Sequence, residues 1–152
     1  MKEREFHQTA IDLLLKEFKK KYVLEDIQLI EKLIITNSWW DSVDTIAKYI
    51  LGGYLLQFPS ETLKVVERFS NSENMWLNRS AILFQLSYKD KTNFEILKSE
   101  CEKHKDSNEF FIQKAIGWAL RDYSRFNPKG VEAYVNSTNL KPLSRREALR
   151  LL

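Results

Sequence analysis

The sequence predicts an all-α fold in which helical hairpins stack into a solenoid. Three observations support this prediction. Apolar residues recur with the period of an α-helix along most of the chain. A short apolar motif returns at nearly constant spacing. Only four glycines and three prolines occur among 152 residues, which leaves few of the sharp turns that a many-stranded β fold requires.

Helix starts are predicted from capping boxes, in which a Ser, Thr or Asp side chain is followed three residues later by an acid. Four pairs fit this pattern: Ser38 with Asp41, Thr92 with Glu95, Asp106 with Glu109, and Ser144 with Glu147. Together with the apolar periodicity they predict nine helices. These helices cover residues 3–20, 25–36, 39–56, 60–69, 74–88, 93–104, 108–124, 128–136 and 144–152.

A small residue beside a branched apolar residue recurs in five of these helices. The first members of the pairs are 36, 35, 34 and 33 residues apart. Such near-constant spacing is typical of stacked helical hairpins, because a small residue allows neighbouring helices to approach closely. The pattern favours one HEAT-like repeat domain over residues 1–152, with a globular helical bundle as the alternative. The pairs are Ala10-Ile11, Ile46-Ala47, Ala81-Ile82, Ala115-Ile116 and Ala148-Leu149.

A polar residue stands two positions before each repeated pair. If these helices line one concave wall, the five polar side chains form a row along it, placed for a ligand. A merely solvated face is the alternative, and polarity does not separate the two. The row consists of Gln8, Asp44, Arg79, Gln113 and Arg146.

Positive charge is concentrated in the second half of the chain. The net charge is only +3, but residues 77–152 hold 14 basic against 9 acidic residues, a net +5. A lopsided basic surface favours a polyanionic partner, with a solvated face that binds no ligand as the alternative.

Several classes of protein find no support. A single cysteine, Cys101, excludes an internal disulfide and is expected to be an inert helical thiol in a reducing compartment. The N-terminus lacks the uninterrupted apolar segment of a signal peptide, and no apolar run approaches the length of a membrane span. Neither a glycine-rich phosphate loop nor a metal-binding histidine spacing occurs, and His7 and His104 are interpreted as surface residues.

An aromatic residue and a carboxylate share one helix face near residue 40. Trp40 and Asp44 are four residues apart, whereas Trp39 is expected to turn into the core. An aromatic ring beside a carboxylate suits a cation. Arg79 occupies the corresponding place in the next repeat, where it either pairs with Asp44 or presents its guanidinium to a phosphate. Trp118 follows Gly117, which would permit close backbone approach.

Four segments of the chain resemble the bacterial DNA alkylation repair enzymes of the AlkD type. The segments are residues 37–44, 76–83, 110–121 and 142–148. The resemblance implies a HEAT-like DNA glycosylase that excises N3- and N7-alkylated purines from double-stranded DNA without metal or cofactor, acting on a lesion that stays in the duplex. By motif, it assigns catalysis to Trp40, Asp44 and Trp118 and a DNA contact to Arg79. Lys48, Lys114, Arg121, Arg145 and Arg146 complete the candidate DNA-binding residues.

The implied chemistry agrees with a single carboxylate. An N3- or N7-alkylated purine is cationic and leaves readily, so no general acid is required, and Asp44 could stabilise the oxocarbenium-like sugar or orient water. The alternative is a non-catalytic helical-repeat module for nucleic acid or protein. Asp44 favours the enzyme over this module. A carboxylate on a DNA-facing wall repels phosphate, so a protein that only binds DNA has no reason to place one beside Trp40.

Relatives of this type extend further at the N-terminus, so Met1 is expected to fall within a repeat. The first helix would then lack its usual covering repeat, and its apolar residues would be partly exposed. A homodimer through that end and a location in the bacterial cytoplasm at the nucleoid are further expectations. The apolar residues concerned are Phe6, Ala10, Leu13 and Leu14.

Overall fold

The computed structural model describes residues 2–18, 21–36 and 38–152, and this part of the chain is helical without a β-strand. It divides into two compact units, one ending at Phe84 and the other beginning at Gln85. The predicted all-α class is therefore confirmed, and each predicted helix has a counterpart. No helix among the described residues combines the length and the apolar character needed to cross a membrane.

In the described part of the first unit there are six α-helices and a π-helical segment. The segment Ile46–Leu51 continues α3 directly into α4, so residues 40–57 form one unbroken helix. This helix packs against α1, α2 and α6 and lies at the centre of the unit. A 3₁₀ turn, Pro59–Glu61, precedes α5. The helices are α1 (Lys2–Phe18), α2 (Asp26–Ile35), α3 (Trp40–Thr45), α4 (Gly52–Gln57), α5 (Thr62–Ser70) and α6 (Met75–Leu83).

The second unit is built around one helix that contacts the other three. This helix, α8 (Phe110–Tyr123), packs most extensively against α10 (Pro142–Ala148). The remaining helices are α7 (Phe94–His104) and α9 (Pro128–Ser137), and a 3₁₀ turn, Lys89–Lys91, precedes α7.

Asparagine, rather than the predicted capping boxes, starts three of the helices. The side chain of Asn74 accepts hydrogen bonds from the amides of Trp76 and Leu77, at 2.9 and 3.3 Å. Asn93 and Asn127 cap α7 and α9 in the same way. A side-chain oxygen two or three residues before an unpaired amide satisfies that donor, whichever residue type carries it.

The four predicted capping boxes are wrong. Ser38 donates to the carbonyl of Ile34, Ser144 lies inside α10 and donates to the carbonyl of Gln113 at 2.8 Å, and the residue at the start of α7 is Asn93 rather than Thr92. Asp106 likewise does not cap α8, whose N-cap is Glu109. Only Asp41 acts near its predicted place, accepting from the amide of Ser42 at 2.8 Å.

The repeated apolar pairs lie in the core, with two exceptions. Ile46, Ala47, Ala81, Ile82, Ala115 and Ile116 are all at most 2% exposed. Ile11 and Ala148 are also fully buried, whereas Ala10 is exposed and Leu149 is half-buried. The recurrence therefore marks interior positions, as small residues at helix contacts are expected to do.

Residues of α1 that the sequence analysis singled out are partly exposed or bonded within the helix. Phe6 and Leu13 are 73% and 61% exposed and Ala10 is exposed, as predicted, and the side chain of Leu14 lies outside the described residues. Gln8, the first member of the polar row, donates to Asp12 one turn away at 3.2 Å.

Candidate functional site

A buried ion pair joins α3 to α6 in the first unit. Arg79 Nε donates to Asp44 Oδ1 at 2.7 Å, and Arg79 Nη2 donates to Asp44 Oδ2 at 2.9 Å. The two side chains are only 5% and 9% exposed. Two parallel bonds fix both the position and the plane of the carboxylate. Of the two alternatives for Arg79, the structure shows the pairing with Asp44.

The electrostatic environment of Asp44 contains opposing influences. Burial raises the pKa of its carboxyl above the ordinary 3.8, the hydrogen bonds and charge of Arg79 act to lower it, and Asp41 adds to the rise. The overall direction is upward, because removal of the carboxylate from water outweighs the attraction of the guanidinium. Arg79 therefore restrains a shift that burial alone would make larger.

Trp40 is the first residue of α3 and is 46% exposed, so it is not a core tryptophan. It lies one helical turn before Asp44, on the same face of the helix. The indole of Trp40 is therefore exposed one turn away from a carboxylate that is buried.

The prediction that Trp39 turns into the core is wrong. Trp39 is the N-cap of α3, with extended φ and ψ of −148° and 154°, and is 43% exposed. Its extended backbone breaks the helical angle that would have pointed it inward. Its ring centroid lies 6.4 Å from that of Trp76 on α6, at an interplanar angle of 51°.

Asn78, next to Arg79, has a structural role that the sequence did not reveal. Its Nδ2 donates to the carbonyls of Phe69, Ser70 and Ser72, at 2.9, 3.1 and 3.0 Å. These bonds satisfy carbonyls at the end of α5 and fix the turn into α6. Asn78 therefore helps to place α6, and with it Arg79, opposite α3.

Trp118 lies on α8 in the second unit and is half-buried. The predicted close approach at the adjacent Gly117 is confirmed. A Cβ atom on Gly117 would lie 2.6 Å from Glu147 Cβ and 3.2 Å from the carbonyl oxygen of Ser144. α10 therefore crosses α8 directly at this glycine, which only a residue without a side chain permits.

Glu147, predicted as a capping residue, instead collects three cations. Its carboxylate lies 3.4 Å from Lys114 Nζ, 2.8 Å from Arg121 Nη1 and 3.7 Å from Arg150 Nη1. Burial acts to raise the pKa of Glu147, but these three charges hold the pKa below its ordinary value. Two of the candidate DNA-binding residues, Lys114 and Arg121, are thus brought together.

The other candidate DNA-binding residues are distributed. Lys48 follows the apolar pair Ile46-Ala47 in the π-helical segment, and its Nζ lies 5.0 Å from the ring centroid of Tyr49. Arg145 donates to the carbonyl of Val135 at 3.0 Å and to Asn136 Oδ1 at 2.8 Å, and so closes the end of α9. Arg146 is exposed. The guanidinium of Arg79 binds the carboxylate of Asp44, so a contact between Arg79 and phosphate would require this buried ion pair to break.

The histidines and the cysteine were also predicted from the sequence to have no chemical role. His104 is not the surface residue that was predicted, because its side chain is 12% exposed, and burial lowers its pKa. The side chain of His7 lies outside the described residues. Cys101 is fully buried, and burial raises the pKa of its thiol, which agrees with the expectation of an unreactive thiol. Within the described residues no three His, Cys, Asp or Glu side chains are grouped to hold a metal ion.

The first unit also contains a cavity of about 270 Å³. It is formed by α2, α4 and α5 with the turns beside them, and none of the predicted site residues is among its lining residues. Those residues are Leu24, Glu25, Ile27, Gln28, Tyr54, Glu61, Lys64, Val65 and Arg68.

Comparison with known proteins assigns the chain to a family. Residues 1–152 match the family model of the DNA alkylation repair enzymes. A solved structure described as a "predicted DNA alkylation repair enzyme from Enterococcus faecalis" is 38% identical, with a TM-score of 0.90, over 98% of this chain and 69% of that one. A search of curated proteins finds no match. The chain belongs to the DNA alkylation repair enzyme family.

Proposed function

We propose that the protein is a DNA glycosylase that hydrolyses the N-glycosidic bond of cationic N3- and N7-alkylated purines in duplex DNA. The observation that carries this proposal is the buried carboxylate of Asp44, which two hydrogen bonds from Arg79 fix in place. Asp44 lies on α3, the helix that begins with the exposed Trp40. Family membership supports a repair enzyme acting on alkylated DNA.

Asp44 would act on the sugar rather than on the base. An alkylated purine leaves with its positive charge neutralised, so the positive charge that develops lies on the deoxyribose. A carboxylate fixed beforehand stabilises this charge without reorganising at the moment of reaction. An ionised carboxylate offers about four lone-pair positions. Arg79 uses one on each oxygen, so each oxygen retains capacity to accept a hydrogen bond from an attacking water.

Trp40 would contact the cationic nucleotide. A cation over an indole ring gains about 0.5–2 kcal/mol, and the gain exists only while positive charge is present. The half exposure of Trp40 suits such a contact. The role of Trp118 is proposed from the family motif, because it belongs to the other unit.

The decisive experiment is release of free base from duplex DNA that contains N7-methylguanine, under single-turnover conditions with enzyme in excess. We expect release with wild-type protein and no release from undamaged duplex. Absence of release, with duplex binding retained, would favour a non-catalytic DNA-binding module. The observation favouring that second candidate is the same buried pair, because buried ion pairs also serve structural roles.

Absence of metal and cofactor, a homodimer through α1 and a location at the bacterial nucleoid remain proposals. The exposed Phe6 and Leu13 are the observation behind the dimer. Sedimentation at several protein concentrations tests it, and excision in the presence of a chelator tests the absence of metal.

A further inference from the structure

Three cations converge on one carboxylate in the second unit, two from α8 and one from the turn that follows α10. Lys114, Arg121 and Arg150 all lie within 3.7 Å of Glu147. The Glu147 side chain is 14% exposed, whereas those of Lys114 and Arg150 are 40% and 68% exposed. The anion is therefore the more buried member, and the cations surround it towards solvent. We refer to these four residues as the Glu147 cluster.

Gly117 explains why the cluster forms. Lys114, Gly117 and Arg121 are separated by three and four residues, so they share one face of α8. The base of the Glu147 side chain lies against Gly117: a Cβ atom on Gly117 would be 2.6 Å from Glu147 Cβ. The carboxylate consequently lies between the cations on either side of the glycine and reaches both.

The Glu147 cluster has more hydrogen-bond donors than its one acid can accept. A carboxylate offers about four lone-pair positions, whereas an ammonium carries three N–H groups and each guanidinium five. Three cations and one anion leave a net charge of +2. Residues 110–152 contain 8 basic and 3 acidic residues, so three of these bases meet at one of the few acids. A second anion finds both donors and charge there.

We propose that Lys114, Arg121 and Arg150 together bind one phosphodiester group of DNA, and that Glu147 is the positioning residue that holds them at that place. The proposal rests on the proposed function, since DNA is the ligand. Long cationic side chains lose conformational freedom when they bind, and this loss weakens affinity. Ion pairs with Glu147 order them beforehand. The carboxylate repels phosphate, but the three cations around it leave the cluster attractive.

The number of phosphates is tested by the salt dependence of binding to an undamaged duplex, measured by fluorescence anisotropy. The triple variant Lys114→Gln, Arg121→Gln, Arg150→Gln is compared with a control that removes three cations elsewhere in the unit: Lys91→Gln, Arg125→Gln, Lys129→Gln. One shared phosphate predicts that the log–log slope falls by about 0.9 in the cluster variant, whereas three separate phosphates predict about 2.7. A slope equal to that of the control variant, or a loss near 2.7, overturns the proposal.

The positioning role is tested by two matched acids. Glu147→Gln and Glu132→Gln each remove one negative charge from the second unit, and Glu132 lies exposed on α9. We expect Glu132→Gln to bind duplex DNA at least as tightly as wild type. We expect Glu147→Gln to bind about fivefold more weakly, because the three cationic side chains then lose their conformational freedom only when DNA binds. Tighter binding by Glu147→Gln than by Glu132→Gln would mean that the carboxylate competes with phosphate, and would overturn its positioning role.

A thermal melt accompanies each variant, because Glu147 also joins α8 to α10. If Glu147→Gln does not fold, the triple cation variant still decides the phosphate site. Wild-type protein that excises and binds while the triple variant keeps the control slope would refute the phosphate site alone. Wild-type protein that neither binds duplex nor excises base would refute the proposed function and the site together.

Discussion

Arg79 on α6 holds both carboxylate oxygens of Asp44 on α3, at 2.7 and 2.9 Å. This relationship gives one residue two effects on the other. The two hydrogen bonds from the guanidinium of Arg79 fix the plane in which the carboxylate lies. The positive charge of Arg79 limits the rise in the pKa of Asp44 that burial causes. Variants of the two residues should therefore change stability, rate and pH dependence in different proportions.

Asp44→Asn should reduce excision by at least about 100-fold, because it removes a preorganised charge from the developing cation. Its effect on stability should be smaller than that of Arg79→Ala, because the raised pKa of Asp44 means that the buried carboxyl group favours its neutral form. Single-turnover excision, normalised to folded protein, separates the two effects. Asp41→Asn removes a charge from the same helix and should excise nearly normally; similar rates for wild type and Asp44→Asn would argue against a catalytic carboxylate.

Arg79→Ala should destabilise the fold by about 3–5 kcal/mol, because it leaves a buried carboxylate without its bidentate partner. The salt dependence of duplex binding should equal that of wild type, since the guanidinium is committed to Asp44. Urea denaturation and an anisotropy titration against salt measure the two quantities. If instead the log–log slope fell by about 0.9, Arg79 would contact phosphate, as the family motif implies.

The pH dependence of excision should report Asp44. The folded pKa is raised above 3.8, so activity that needs the ionised form should fall on the acid side at a pH above that value. Asp41→Asn should move this limb to lower pH, because Asp41 raises the pKa. Arg79→Lys should move it to higher pH, since one contact replaces two. Shifts in the same direction for both variants would show that another group controls the limb.

The raised pKa also has a sign for stability. A carboxyl whose pKa is higher in the folded state than in the unfolded state favours folding most when it is protonated, below the unfolded value near 3.8. This contribution is lost as the pH rises through the folded pKa. The free energy of unfolding of wild type and of Asp44→Asn can be measured by urea denaturation between pH 3 and 7. The stability of wild type relative to Asp44→Asn should fall as the pH rises through the folded pKa of Asp44.

Trp40→Ala should slow excision by about 2- to 30-fold, the range that corresponds to a lost cation–π contact. It should change the melting temperature little, because the side chain is 46% exposed. Trp39→Ala is a matched control, since it removes a tryptophan of similar exposure from the adjacent position and should excise nearly normally. Equal losses of excision in both variants would indicate a general effect of the aromatic surface.

Gly117→Ala should destabilise the second unit by about 1–3 kcal/mol, the usual cost of overpacking a close helix contact. The added methyl group would lie 2.6 Å from Glu147 Cβ, so α10 must move. Gly117→Ser should be at least as destabilising. Thermal melts of both variants measure the effect, and a melting temperature equal to wild type would show that α10 accommodates the change without loss.

The helices were predictable because each carries its own apolar periodicity, which a helix must bury on one face. The N-cap residues were not predictable, because several polar residues lie near each helix start and the geometry of the preceding loop decides which of them caps the helix. Thr92 and Asn93 are adjacent in sequence, yet the side chain of Asn93 accepts from the amide of Ile96 in α7, whereas that of Thr92 donates to the carbonyl of Lys89.

The candidate site was predictable to a similar degree. Helical spacing placed Trp40 and Asp44 on one face, but whether Arg79 points to Asp44 or to solvent depends on packing between α3 and α6. The convergence of Lys114, Arg121 and Arg150 on Glu147 was hidden because Arg121 and Glu147 are far apart in sequence. The pattern that could have revealed it is Lys114, Gly117 and Arg121 on one face of α8, opposite an acid on a helix that packs there.

The π-helical segment Ile46–Leu51 limits how the length of this helix can vary. A π turn contains one residue more than the α-helical hydrogen-bond pattern accommodates. Deleting one residue there would restore a regular α-helix and keep Gly52–Gln57 in nearly the same rotation relative to Trp40–Thr45, because the π turn is what absorbs the extra residue. The buried face that includes Tyr54 and Leu55 would then stay aligned with the face that carries Asp44. A single-residue deletion in a purely α-helical part of the same helix would instead rotate the two faces by about 100°, and should be far less tolerated than a deletion within 46–51.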